Sequence, residues 1–121
     1  MTAKDFADRL EARTYQDDDG LVGVYEIEAS DADALWLSER LFRRMTLVAR
    51  AYELHTLPLL GGTDPVTLSR PMCASLVDEL NFITDRLNDP LAHETAQVLA
   101  DFVANRVRRL GWDGSVTVEG D

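Results

Sequence analysis

Three residues, Asn88-Asp89-Pro90, are all that separate two long apolar-periodic segments in the C-terminal half of this chain. Upstream, Met72, Leu76, Leu80, Ile83 and Leu87 recur at steps of four or three. Downstream, Leu91, Val98, Leu99, Phe102, Val103, Val107 and Leu110 keep a helical period. These spacings put the apolar side chains on one stripe of a 3.6-residue helix. So short a join forces the two helices into an antiparallel hairpin or a sharp corner. The helix ends are chemically marked. Ser69-Arg70-Pro71 opens the first, about 71–88, with Pro in the first turn, where its missing N–H costs nothing. Asp89-Pro90 opens the second, about 90–110. Gly111 supplies a Schellman-type stop, with Trp112 as its hydrophobic contact.

The N-terminal half is more mixed. Phe6 and Leu10 share a face of a short helix over about 3–13, and Asp17-Asp18-Asp19-Gly20 ends it in an exposed turn. From Leu21 to Ala29 the period switches to two: Leu21, Gly23, Tyr25 and Ile27 on one side, Val22, Val24, Glu26 and Glu28 on the other. That is a half-buried strand. Ser30 is the N-cap of a central helix to about Leu54, with Leu37, Leu41, Met45, Val48 and Tyr52 inward and Leu35, Phe42 and Ala49 widening the stripe. Pro58 and Gly61-Gly62 break it, and Thr63-Asp64-Pro65 starts a single helical turn. Ser115 to Glu119 alternates as a final strand and is the natural mate of 21–29, with 13–16 a weaker one. A two-stranded ribbon is marginal alone, so it packs on the helices or joins a sheet in another copy. The expected fold is a single domain, 1–121, of predominantly helical α+β class. It has about four helices and a small antiparallel sheet of two or three strands; an all-α bundle with frayed tails is the alternative.

Charge narrows the partners. The chain's 121 residues sum to −10, and the first 33 carry ten Asp/Glu against three Lys/Arg. Such a field opposes phosphate backbones and anionic membranes. Residues 34–60 run the other way, with Arg40, Arg43, Arg44 and Arg50 against Glu39 and Glu53. These arginines lack the aromatic interleaving of a nucleic-acid surface and are expected to pair within the molecule or between copies. The N-terminus has no apolar signal-peptide core, and no stretch nears the roughly 18 apolar residues of a membrane span. The single cysteine, Cys73, leaves no intramolecular disulfide. A cytoplasmic location is expected.

Catalytic patterns are missing. There is no HExxH, ExxH, GxSxG, P-loop or Rossmann glycine motif, and Asp17-Asp18-Asp19-Gly20 lacks the alternation of a calcium loop. Glu79 has no carboxylate three residues away on either side, so the paired acids of helical magnesium sites are not formed around Asp78 and Glu79. His55 reads as a helix-end residue, His93 as a first-turn surface residue, and Cys73 as a packing residue. No cofactor or metal is implied.

What stands out is the acidic N-terminal region and apolar surface beyond one core, Trp36 and Leu47 included. The expectation is a non-enzymatic protein–protein interaction module of the adaptor, inhibitor or immunity type. Asp17, Asp18, Asp19, Trp36, Arg40 and Arg43 would meet a protein partner, a basic one for preference, or a second copy. The alternative is a small-molecule site or small enzyme between helices, requiring Tyr25, His55, Cys73, Asp78, Glu79 and His93 to converge.

Overall fold

Two of the four strands run into a helix with no intervening loop, and these junctions organise the molecule. The computed structural model describes residues 20–27, 32–62 and 64–120. Strand β1 (Leu21–Tyr25) is followed by β2 (Leu35–Ser38), which passes directly into α1 (Glu39–Ala51). A 3-10 turn (Leu57–Gly61) leads to β3 (Val66–Ser69), which passes directly into α2 (Arg70–Thr84). Helix α3 (Pro90–Val107) and β4 (Ser115–Gly120) complete the chain. A serine sits at each junction. The Ser38 hydroxyl caps α1 by accepting from the Leu41 N–H at 3.3 Å, whereas Ser69 caps α2 through backbone geometry alone.

The strands form one antiparallel sheet in the order β2-β1-β4-β3. The expected pairing of the strand at 21 with the C-terminal strand is the central ladder, Val24 opposite Val118. Alternation then sorts the faces. Val22, Val24, Leu35, Leu37, Leu68, Val116 and Val118 are buried and belong to one apolar core with the helices. The other face carries Tyr25, Trp36, Thr67, Thr117 and Glu119, tied by hydrogen bonds between the Thr67 and Thr117 hydroxyls and from the Tyr25 hydroxyl to Glu119. Gly23 is required there: a Cβ would come within 2.9 Å of the Trp36 ring, which lies across the strand.

The two helices pack together as a hairpin, but the first ends at Thr84 rather than near Asn88, so residues 85–89 make the join. Asp89 caps α3 by accepting from the Leu91 N–H at 2.9 Å. Leu76, Leu80 and Ile83 of α2 are fully buried against α3. Ala92, Ala96, Ala100 and Ala104, four apart, are also buried, a stripe of small side chains that suits α3 to its central place.

The structure corrects several boundaries. Residues 35–38 are a strand, so the central helix starts at Glu39 rather than Ser30; Leu35 and Leu37 are both buried while Trp36 between them is not, an alternation only a strand satisfies. The helical turn expected to start at Thr63-Asp64-Pro65 is not formed: Val66–Ser69 is the strand β3, giving four strands among the described residues instead of two or three. Three α-helices lie among the described residues; the helix expected over 3–13 and the strand mate at 13–16 fall outside them. Tyr52 is exposed, not inward, and Leu110, beyond the end of α3, is fully exposed.

The Schellman stop also moves. Helix α3 ends at Val107, and Gly111 (φ 73°) turns the chain later. The motif instead closes α1: the Leu54 N–H bonds the Ala49 carbonyl, the Glu53 N–H bonds the Arg50 carbonyl, and Glu53 takes φ 59°. A non-glycine residue is strained there. Glu53→Gly is expected to raise stability by about 0.5–1 kcal/mol in urea denaturation, through relief of that strain less the added chain entropy.

Candidate functional site

Glu79 has the densest set of hydrogen bonds to any side chain among the described residues, and all of them serve the scaffold. It is buried on α2, with its carboxylate aimed at the segment between α1 and the 3-10 turn. One oxygen accepts from the Leu57 N–H at 2.8 Å and the Thr56 N–H at 3.1 Å. The other accepts from Thr56 at 2.9 Å, the His55 N–H at 3.3 Å and the Ser75 hydroxyl at 3.3 Å. Three successive backbone N–H groups at the start of the 3-10 turn thus find their acceptor in one carboxylate. Sequence reading could not find this role, because it needs α2 packed against a loop 22 to 24 residues earlier.

The other candidate reactive groups go separate ways. The His93 ring, through Nδ1, bonds the Thr84 carbonyl at 2.8 Å and so closes the C-terminal end of α2. His55 and Asp78 are exposed. Tyr25 lies on the open sheet face, where its bond to Glu119 raises the phenol pKa. Cys73 is fully buried, 3.6 Å from the Leu68 carbonyl. Burial, partly offset by the Val116 backbone, pushes its thiol up to about 11. Among the described residues no group of three His, Cys, Asp or Glu is arranged to hold a metal ion. None of the six residues whose convergence would make a pocket lines either of two surface concavities, one beside Arg43, Phe42 and Leu60, the other between α2 and α3.

The partner-facing residues are also dispersed. Trp36 is partly exposed on the sheet's open face. Arg40 and Arg43 are exposed on α1, and Arg43 pairs with Glu39 one turn earlier at 2.8 Å. Asp17, Asp18 and Asp19 fall outside the described residues. Arg44 pairs with Asp89 at the hairpin turn. Among the described residues, two acids of the N-terminal quarter, Glu26 and Asp33, meet Arg106 on α3. Arg106 bonds Asp33 at 2.6 Å and approaches Glu26 at 3.8 Å, and Glu26 also accepts from Trp112 Nε1 at 2.7 Å. The Arg106 guanidinium lies 3.6 Å over the Phe102 ring, and burial lowers its pKa while Asp33 and Glu26 push it back up.

One exposed constellation was not anticipated. Tyr52, at the end of α1, and Phe82, on α2, form an edge-to-face pair with ring centroids 5.4 Å apart. The Arg86 guanidinium sits 3.8 Å over Phe82 and 5.6 Å over Tyr52, and also donates to the Phe82 carbonyl. The four-residue step from Phe82 to Arg86 was a usable signal; Tyr52 joins only through the packing of α1 on α2. No helix among the described residues is long and apolar enough to cross a membrane. No protein-family model, curated protein or solved structure matches this chain.

Two variants test the roles assigned here. Glu79→Ala should cost about 2–4 kcal/mol in denaturant melts, since it strands three backbone donors, and Glu79→Gln about half that. Cys73 should resist a thiol reagent in the native protein and react in urea. Its raised pKa favours the folded state fully below about pH 9, and that contribution, roughly 2–3 kcal/mol, should fade as pH climbs toward 11. Cys73→Ala should abolish this alkaline loss.

Proposed function

We propose that this chain is a protein–protein interaction module rather than a catalyst. The observation that carries the reading is the exposed Tyr52–Phe82 pair with Arg86 stacked on it. Aromatic and arginine side chains dominate binding hot spots, the aromatics because they bring large, rigid contact area and arginine because its planar fork of donors bonds and stacks at once. Three side chains of types that do chemistry are used in the architecture: Glu79 by backbone donors, His93 at a helix end, Cys73 in the core. Leu47 and Leu59 add exposed apolar area on α1 and the 3-10 turn. The acidic balance of the chain favours a basic partner. Adaptors, inhibitors and immunity-type proteins are the functional classes that such a module serves.

The test is capture from cell extract with wild-type protein and the Tyr52→Ala/Phe82→Ala variant, followed by affinity measurement on the protein recovered. The expected result is a saturable complex that the double substitution weakens tenfold or more. Light scattering across a salt series supplies the second readout, since association through charge fades with salt and association through apolar area does not. A wild-type protein that recovers no partner and stays monomeric at every salt concentration overturns the reading. So does a complex indifferent to both substitutions.

A further inference from the structure

A groove of about 380 Å³ runs between α2 and α3, lined by Asn81, Thr84 and Asp85 on one side and Gln97, Ala100 and Asp101 on the other. No lining residue is cationic. Two carboxylates, two amide oxygens and the Thr84 hydroxyl make it rich in acceptors. Among the described residues no ion pair engages Asp85 or Asp101. Two basic side chains beside it already have contacts: Arg86 with the Phe82 ring and carbonyl, and His93, whose Nδ1 bonds the Thr84 carbonyl. The groove adjoins the aromatic pair, because Phe82 and the groove residue Asp85 are three residues apart at the C-terminal end of α2, a spacing that makes them neighbours on the helix surface. That end of a helix carries the negative pole of its dipole.

We propose that the groove and the Tyr52–Phe82 pair form one docking surface for a basic protein segment. An arginine or lysine of the partner enters the groove beside Asp85 and Asp101, and an apolar side chain of the same segment packs against the Tyr52–Phe82 pair on the ring surface that Arg86 leaves open. This rests on the interaction-module reading and narrows it to a partner chemistry. Charge complementarity decides the occupant. An acidic or phosphorylated segment would bring like charge against two carboxylates, and an apolar one would strip them of water with nothing in return. Arginine is the better fit of the two bases, because its planar donors can serve carboxylate and amide oxygens together.

The test needs no identified partner. The probe is N-acetyl-arginine methylamide, titrated into isotopically labelled protein and followed by backbone amide shifts, with the citrulline analogue as a neutral control of the same shape. Saturable shifts are expected at residues 81–86 and 97–101, absent with citrulline, and weakened about five- to tenfold in an Asp85→Asn/Asp101→Asn variant. Both positions are exposed, so the variant should fold, and its circular dichroism should match wild type. Shifts that map elsewhere, that citrulline reproduces, or that survive the double substitution overturn the proposal. If the groove fails while captured complexes still depend on Tyr52 and Phe82, only the partner chemistry is wrong. If capture and association fail, the module reading falls independently of the groove.

Discussion

A buried guanidinium cannot be left unanswered, and Arg106 is buried in the last turn of α3. It is met by the Phe102 ring and carbonyl from its own helix and by Asp33 and Glu26 from the connection between β1 and β2. Glu26 is fixed in turn by Trp112, just before β4. One charge therefore gathers the exit of β1, the approach to β2, the end of α3 and the approach to β4. The acidic excess of the N-terminal quarter acquires a structural use at two of its positions. Arg70 does related work nearby, donating to the Val107 and Trp112 carbonyls at 2.8 and 2.9 Å and so tying the start of α2 to the end of α3.

The same economy governs the residues that might have done chemistry. Glu79, His93 and Cys73 are each committed to a backbone or a core position. Glu79 matters most, since a short 3-10 turn has few hydrogen bonds of its own and three of its leading N–H groups are met by one side chain. The proposed docking surface is built from other residues. Its notable features lie at one end of the α2–α3 pair: two exposed rings, a stacked arginine and an acceptor-lined groove.

How legible all this was depended on how local the signal is. The α2–α3 hairpin was readable because its evidence is short in range: a stripe of apolar residues, a capping aspartate and a short join. The β1–β4 pairing was readable because both strands alternate clearly. Strands β2 and β3 were not. Each is four residues long, and β2 is rich in leucine, so its two-residue alternation was absorbed into a helical period beginning at Ser30. The aromatic cluster escaped for a related reason: Tyr52 continues the apolar stripe of α1 by spacing, but the helix ends at Ala51 and the Glu53 turn releases the ring to the surface.

What the amino-acid order determined alone is the set of amphipathic elements and their polarity, because helix period, strand alternation and capping act over a few residues. Tertiary structure decided where that order was ambiguous: which leucines became strand, which glutamate received the loop's donors, which acids answered Arg106. Those choices turn on contacts between residues 11 to 80 positions apart, and their free energy exists only once the layers have packed.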